Sequence, residues 1–378
     1  MKKGAQVLVV HCVDTEGPIG GNVRRRPDGS AEFMDNWKDI GRSIRRITSK
    51  AFRQQLADSA GNPYVYNWFI MDFTGFKTNP KNRIAHYNDT YDHFRALPTK
   101  PDGLYWHYHH PPATGEGDQW SDSWNSSQEY MNILLHRLLE REEWPEAFRA
   151  GGTIEDEAAS LWLEQHMMVD YSNRVSDQAK PTNNIFDFNW HSAPDQWGYY
   201  HPSHGNVLKQ GTMRRLILRS VDLWSRLHVL TIDEVRQAFF QAQQTNKPVV
   251  LSYFSHDHRE MYEETLYAGA LIKQVSKETG IPWKTVQALP AAQTAAGIKP
   301  VFIKVKSRRK VNVLQFTLSK PSYQPEPWVG AQLKDKSLMW LPVKKKSATV
   351  FEVVVDMPVK KIVIAGTSLS GNKFVHVV

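Results

Sequence analysis

The feature that most constrains the fold is a run of apolar, mostly β-branched residues near the start of the sequence. Residues 5–13 read AQVLVVHCV, and the acidic residues Asp14 and Glu16 follow at once. A strand that is apolar on both faces belongs inside a parallel sheet that helices cover. Three glycines within residues 17–21 then force a loop. The run therefore predicts a buried parallel strand that delivers two carboxylates to one edge of a sheet.

The rest of the first 300 residues alternates predicted strands with predicted helices. Further strands are predicted at Tyr64–Met71, Gly103–His109, near Ala147, near Val169 and at Pro248–Phe254. Helices are predicted at 36–57, Gln128–Arg141, Ile154–His166, Ile232–Gln244, Tyr262–Thr279 and Pro282–Ala295. This alternation is typical of a mainly parallel α/β sheet or barrel, in which chemistry gathers at the C-terminal ends of the strands.

After Gly297 the helical periodicity ends and the charge changes. Residues 300–378 hold 14 Lys and Arg against 4 Asp and Glu, a net charge of +10, whereas the preceding residues hold 33 against 35. We therefore predict two domains, residues 1–299 and a basic β-sandwich-like domain of residues 300–378. The charge indicates either an anionic partner or only a solvated face. Strands are predicted at Val301–Val305, Val311–Leu318, Leu338–Val343, Val350–Val355, Lys361–Ala365 and Phe374–Val378.

Composition indicates what this protein binds and where it is found. The 13 Trp, 14 Tyr and 16 Phe are unusually many, as in proteins that stack aromatic rings on sugars, although large cores use aromatic residues as well. Cys12 is the single cysteine, which indicates a reducing compartment, and its apolar surroundings favour a buried thiol over a nucleophile. We expect no signal peptide, no membrane span and a cytoplasmic location. Basic residues do not interleave regularly with aromatic ones, so no nucleic-acid partner is expected.

Two groups of side chains have the character of metal ligands. Asp14 and Glu16 repel each other unless a cation or a base lies nearby, although a capping Asp beside a solvated Glu would look the same. His107, His109 and His110 stand within Trp-His-Tyr-His-His-Pro-Pro at a predicted strand end. His107 and His109 share one face of a strand, and two imidazoles so placed favour a divalent metal over a structural role.

Two more strand ends offer groups for acid–base chemistry and for holding an oxyanion. Arg149 is suited to orienting a carboxylate, and Gly151 allows backbone N–H groups to approach a substrate, although an ordinary turn would also use these residues. His256 follows the strand that ends at Phe254, with Asp257 beside it, and is placed to protonate a leaving amine. Capping by the Asp beside an exposed His is the structural alternative.

An aromatic loop completes the candidate residues. Asp187-Phe-Asn-Trp190 and Gly198-Tyr-Tyr200-His-Pro-Ser203 place flat rings among polar groups. Trp190 and Tyr200 are therefore predicted to line a sugar pocket, and a lid without substrate contact is the alternative reading.

In order and kind, these motifs resemble those of the NodB-homology polysaccharide deacetylases, carbohydrate esterase family 4, in its Asp-x-acid branch. The resemblance covers roughly residues 5–290, so residues 300–378 lie outside it. That family carries an Asp pair, a paired-His motif, an Arg motif, an Asp/Trp motif and a late His. The matching segments are Asp14-Thr-Glu16, His107-Tyr-His109-His110, Phe148-Arg149-Ala-Gly-Gly, Asp187-Phe-Asn-Trp190 and Ser255-His256-Asp257.

The resemblance implies a distorted (β/α)7 barrel with one divalent metal ion, most often zinc. It implies that Asp14 is the general base, that Arg149 tethers it and that His256 is the general acid. Glu16, His107 and His109 would be the metal ligands. The family spaces its paired histidines four apart and commonly has Asp in place of this Glu. His110 is therefore an alternative to His109 as a ligand, and His258 is an alternative to His256 as the acid.

The function implied is removal of an N-acyl group from an amino sugar or glycan, in surface-polysaccharide or lipopolysaccharide assembly. Hydrolysis of a small cyclic amide or ureide is a second possibility within the same chemistry. A catalytically inert carbohydrate-binding barrel is a third and belongs to a different class.

Overall fold

A computed structural model describes residues 4–17, 34, 36–72, 87–96, 101–110, 124–126, 128–176, 190–225 and 228–378. Its helices are α1 Trp37–Ile47, α2 Lys50–Gln55, α3 Tyr87–Ala96, α4 Glu129–Arg141, α5 Glu157–His166, α6 Ile232–Thr245, α7 Met261–Thr279 and α8 Ala288–Ala296. Its strands are β1 Gln6–Thr15, β2 Tyr66–Asp72, β3 Gly103–Tyr108, β4 Phe148–Ala150, β5 Val169–Asn173, β6 Tyr199–Tyr200, β7 Pro202–Ser203, β8 Asn206–Gln210, β9 Leu216–Arg219, β10 Val221–Asp222, β11 Pro248–His256, β12 Trp283–Thr285, β13 Val305–Lys310, β14 Val313–Leu318, β15 Trp328–Leu333, β16 Leu338–Trp340, β17 Lys344–Lys345, β18 Val350–Val354, β19 Val359–Thr367 and β20 Lys373–Val377.

One ten-stranded sheet organises the described part of the first 300 residues. Its order is β10-β11-β1-β2-β3-β4-β5-β9-β6, with β12 paired beside β1. All neighbours run parallel except β6 and β9. The predicted mixed α/β architecture with a mainly parallel sheet is confirmed, and the C-terminal ends of β1, β3, β4 and β11 meet at one edge because parallel strands share a direction.

A bent strand joins the two sides of this sheet. β9 pairs with β5, β10 pairs with β11, and Ser220 alone separates β9 from β10. The Ser220 N–H donates to the Asn173 carbonyl at 2.6 Å, and its hydroxyl accepts from Ser252 at 3.0 Å. If β9 and β10 are counted as one bent strand, the pairings run from β11 through β1, β2, β3, β4 and β5 to this strand and back to β11. The sheet is therefore curled and has seven strand positions.

Strand β1 is apolar on both faces because it separates two packed layers. Val7 and Val9 pack in a cluster with helices α6 and α7, whereas Leu8 and Val10 pack in a cluster with α8 on the other side. Cys12 belongs to that second cluster, where burial raises the pKa of its thiol to about 12. The prediction that Cys12 is a buried thiol is confirmed, and its raised pKa disfavours the nucleophilic thiolate form.

Two predicted helices differ from the structure by a break or by several residues at one end. The predicted helix 36–57 is two helices, because Ser49 leaves helical geometry and caps α2 by accepting from the Phe52 N–H. The predicted helix Pro282–Ala295 begins only at Ala288. Trp283–Thr285 instead forms β12 beside β1, where a free hydrogen-bonding edge attracts an extended segment.

Residues 305–377 form two four-stranded antiparallel sheets, β13-β14-β18-β17 and β16-β15-β19-β20. Both contribute to one apolar cluster, so the predicted β-sandwich is confirmed. Residues 301–304, within the predicted first strand, lie outside any strand, and β13 follows at Val305. The predicted bounds were wrong there because β13 is an exposed edge strand of polar residues. Strand β15 was not predicted, because the prolines before Trp328 are not typical of a strand.

The sandwich packs directly on helix α4. Val363 and Ala365 join the α4 cluster, and a Cβ added at Gly330 would lie 3.1 Å from Leu135. Lys361 donates to the Leu139 carbonyl at 2.9 Å. The division into domains 1–299 and 300–378 stays a prediction. Among the described helices, none has the length and apolar character needed to cross a membrane.

Candidate metal centre

Three predicted ligands meet where β1 and β3 end. The ligand atoms of Glu16, His107 and His109 all lie within 4.8 Å of one another. His109 Nε2 is 3.2 Å from Glu16 Oε1 and 3.1 Å from His107 Nε2, and His107 Nε2 is 3.8 Å from the same Glu16 oxygen. Glu16 is 93 residues from His109 in sequence, and the parallel pairing of β1, β2 and β3 brings it to the two histidines.

The hydrogen bonding of His107 prepares one ring nitrogen for a ligand. Its Nδ1 lies 2.9 Å from the Arg149 carbonyl oxygen, which can only accept, so Nδ1 carries the proton. Nε2 then presents a lone pair toward Glu16 and His109. A metal-binding histidine is usually oriented by such a bond from its other nitrogen.

The donor set and its spacing fit a divalent ion. Two donors at about 2.05 Å from a tetrahedral zinc ion stand about 3.3 Å apart, close to the two shorter separations here. Burial alone would raise the pKa of Glu16, but the neighbouring imidazoles of His107 and His109 hold it well below its usual range. Burial would lower the pKa of His107, but Asp14 and Glu16 raise it overall. A carboxylate with two imidazoles is a common set for zinc and iron.

Asp14 and Arg149 form a buried ion pair beside this cluster. Arg149 Nε donates to both carboxylate oxygens of Asp14, at 2.8 and 2.9 Å, and Nη1 donates to the Tyr171 carbonyl at 2.5 Å. The guanidinium carbon lies 3.7 Å from the centre of the Phe254 ring. Asp14 Oδ1 is 3.9 Å from His107 Nδ1. The pair is therefore held from several sides, with the Asp14 carboxylate next to the predicted ligands.

Asp257 supports the loop that carries Glu16. Its carboxylate accepts from the backbone N–H of Glu16 at 2.8 Å and from that of Gly17 at 3.0 Å. Burial raises the pKa of Asp257 to about 7, although these two N–H groups act in the opposite direction. Sequence reasoning noted Asp257 only as a neighbour or cap of His256. Its position directly after β11 was the available signal, but the partner loop could not be read from the chain.

Of the two candidate acids, His256 faces the cluster. Its Nε2 lies 3.9 Å from Glu16 Oε1, and 21% of its side chain is exposed. Burial of the remainder lowers the pKa of His256 well below its usual range, with Glu16 opposing that shift. His258 is buried, with Nδ1 3.7 Å from Asp257 Oδ1 and its backbone carbonyl accepting from Met34.

His110 points away from the cluster. Its Nδ1 lies 3.0 Å from the Tyr108 hydroxyl, and its Nε2 lies 2.9 Å from the Ser126 hydroxyl. The structure therefore brings His109, and not His110, to Glu16 and His107. The chain leaves β3 at Tyr108, and this turn sends the two neighbouring imidazoles in different directions.

Gly151 makes room for His109. A Cβ added at Gly151 would lie 2.3 Å from Cγ of the His109 ring, closer than any real contact. Gly151 begins a short 3₁₀ helix, Gly151–Thr153, directly after β4. The sequence suggested a backbone donor for an oxyanion, and that role stays a prediction. The packing against His109 is a second reason for glycine at this position.

Trp190 and Tyr200 lie in a buried cluster of their own. Trp190 is 2% exposed and donates to the Thr153 carbonyl at 2.9 Å, while Tyr200 is 5% exposed and donates to the Val207 carbonyl at 2.7 Å. Both rings pack with Ile217. This packing favours a structural role, so their contact with a sugar stays a prediction. Residues 187–189 of the predicted loop lie outside the described residues.

Comparison with known proteins adds no family assignment. No family model matches the chain, and no curated protein matches it. An endo-β-1,4-mannanase double mutant from Cellulomonas fimi is 9% identical, aligned over 98% of this chain and 93% of that chain, with a TM-score of 0.31. A carbohydrate acetylesterase from Xanthomonas citri is 11% identical over 98% and 70%, with a TM-score of 0.18. Scores this low carry no argument about fold or function.

Proposed function

We propose that this chain is a metal-dependent hydrolase that removes an N-acyl group from an amino sugar. The observation that carries the proposal is the convergence of Glu16, His107 and His109 beside an Asp14 carboxylate that Arg149 tethers. The curled sheet supports a distorted (β/α)7 barrel of the polysaccharide deacetylase type for residues 1–299, with residues 300–378 appended. Zinc is the ion we propose, because two imidazoles and one carboxylate suit it.

A divalent ion held by the three ligands would polarise the amide carbonyl and make a water molecule more acidic. Asp14 is proposed to take the proton of the attacking water, because its carboxylate is buried and fixed by Arg149. The water oxygen bonds to the acyl carbon, the C–N bond breaks, and the nitrogen leaves as an amine with one added proton.

His256 is proposed to deliver that proton. Its Nε2 faces the cluster, but its lowered pKa means that the ring is neutral before the reaction begins. His256 must therefore gain a proton during the cycle before it can donate one. The position of its ring favours this role over His258, whose side chain lies against Asp257.

The proposal is tested with metal analysis and an activity panel on the full chain. We expect about one divalent ion per chain, and acetate release from N-acetylated sugars that a chelator abolishes and added zinc restores. His107→Ala is expected to lose both the ion and the activity. Ring opening of cyclic imides alone would point instead to the cyclic-amide hydrolase, and absence of a bound ion would point to an inert sugar-binding barrel. Either result would overturn the proposal.

A further inference from the structure

A concave site lies between helix α5 and the sandwich, away from the candidate metal centre. It is a cleft of about 460 Å³, within the range of small-ligand sites. Its lining includes Gln165 and His166 at the end of α5, and Glu326, Trp328 and Trp340 from the sandwich. Three prolines, at positions 325, 327 and 342, also line it.

Topology separates this cleft from the metal centre. Helix α5 ends at His166, and β5 begins three residues later at Val169, so the end of α5 lies beside the N-terminal ends of the parallel strands. Asp14, His107 and Arg149 occupy the opposite, C-terminal ends. The cleft is therefore not an extension of the proposed catalytic pocket.

The two indole rings of the cleft are held in place before any ligand arrives. Trp328 and Trp340 have ring centroids 4.8 Å apart at an angle of 52°. Trp340 donates its N–H to the Met131 carbonyl at 3.2 Å, and Trp328 packs against Trp144 and His166. Rings fixed by packing lose little conformational entropy when they bind a ligand.

The charges around the cleft favour an uncharged ligand. The described lining residues include no Lys or Arg, and Glu326 supplies one exposed carboxylate, so no side chain in the wall would pair with an anion. The surrounding residues 300–378 carry a net charge of +10, which disfavours a cation. Burial lowers the pKa of His166 to about 3, so this imidazole is neutral at physiological pH.

A sugar ring suits these walls better than a purely apolar molecule. Its flat C–H face packs on an indole, while its hydroxyl groups need polar partners at the edge. Gln165 and Glu326 are both exposed at the rim and offer an amide and a carboxylate. We propose that this cleft is a second binding site for uncharged sugar rings of the glycan on which the metal centre acts. This inference rests on the proposed function for the identity of its glycan.

The test uses the full chain and the hexamer of N-acetylglucosamine, with binding followed by titration calorimetry and tryptophan fluorescence. Both the wild type and His107→Ala are expected to bind the hexamer, because the cleft does not need the metal centre. The double variant Gln165→Ala/Glu326→Ala is expected to bind it about 30-fold more weakly, which corresponds to about 2 kcal/mol for two lost hydrogen bonds to the ligand. Trp340→Leu is expected to lose binding altogether.

A matched control pair exists on the other sheet of the sandwich. Gln315 and Glu352 are cross-strand neighbours whose side chains lie 3.4 Å apart, so Gln315→Ala/Glu352→Ala removes the same two residue types elsewhere. This control is expected to bind the hexamer like the wild type. Because Gln165 and Glu326 are exposed, their double variant keeps the test valid even if Trp340→Leu fails to fold.

The outcomes separate the two proposals. The cleft variants are expected to release acetate from a small N-acetylated sugar at the wild-type rate. Unchanged hexamer binding in the double variant and in a folded Trp340→Leu would overturn the sugar site, whatever the activity. Failure of the wild type to bind the hexamer, or binding of a proline decamer there instead, would also overturn it. Hexamer binding through the cleft with no hydrolysis of any substrate would overturn only the catalytic proposal.

Discussion

The two parts of this molecule differ in whether their charged side chains are buried. At the C-terminal strand ends of the first part, Asp14, His107 and Arg149 are all buried. In the described residues after 300, buried polar side chains are uncharged, and the basic residues of β13 are exposed. Burying a charge costs free energy unless it is paired, so the paired and buried groups mark where chemistry is expected. The sandwich keeps its +10 charge in water, where it costs little.

Removing a proposed metal ligand should give the largest effect. His109→Ala is expected to lower zinc affinity and kcat/KM by more than about 100-fold, because it removes one donor directly from the cluster. His110→Ala is the matched control, since its ring contacts Tyr108 and Ser126, and it should keep the ion. Equal losses in the two variants, measured by metal content and acetate release, would contradict the assigned ligand set.

Neutralising the proposed base should separate binding from catalysis. Asp14→Asn keeps the size of the side chain and leaves the three ligands in place, so metal content is expected to persist. Activity should fall by about 10² to 10⁴-fold, the usual contribution of a positioned base. Loss of the ion together with the activity would mean that Asp14 is a ligand and not the base.

Crowding the cluster from behind should have an intermediate effect. Gly151→Ala forces a methyl group against the His109 ring and is expected to weaken metal binding by about 10 to 100-fold, as supporting residues of metal sites do. Gly205→Ala is the control, because a Cβ at Gly205 meets nothing within 4 Å. If Gly151→Ala binds zinc normally but loses activity, the oxyanion role suggested by the sequence would be favoured instead.

Acid should destabilise the first part more than the sandwich. His11 is fully buried between Tyr64 and Ser255, and burial lowers its pKa to about 3. The unfolded state binds this proton more readily than the folded state, so stability is lost as pH falls from 6.5 toward 3. The loss attributable to His11 is about 2 kcal/mol between pH 7 and pH 5.

This pH dependence is measured by urea unfolding of the full chain. His11→Gln is expected to unfold at lower urea concentration at pH 7 but to show a shallower pH dependence than the wild type. His376→Gln, in the sandwich strand β20, serves as the control, since its ring bonds to the Ser307 hydroxyl at a partly exposed site. An identical slope in the wild type and His11→Gln would contradict the assignment.

Removing a sandwich charge should have the smallest effect. Arg308→Ala on the exposed edge strand β13 is expected to change the free energy of unfolding by less than about 0.5 kcal/mol, because a solvated charge contributes little. Thermal unfolding at two salt concentrations checks this. A destabilisation of several kcal/mol would show that this exposed charge contributes to stability as a buried, paired charge does.

Local patterns in the sequence were enough to predict the main strands and helices and the difference in charge between the two parts. The uninterrupted apolar run of β1 predicted a buried parallel strand, because a strand covered on both faces leaves no room for polar residues. Alternating burial along β14 likewise followed from its sequence period of two. The exposed edge strand β13 carried no such period, and its bounds were wrong for that reason.

What only the tertiary structure decided is which groups meet. The order of motifs along the chain could not choose between His109 and His110, because adjacent residues diverge once the chain leaves β3. Nor could it reveal Asp257 beneath the Glu16 loop or the burial of Trp190. Periodicity is a property of neighbours in sequence, whereas a site is made of contacts between segments up to 241 residues apart, and packing alone sets those contacts.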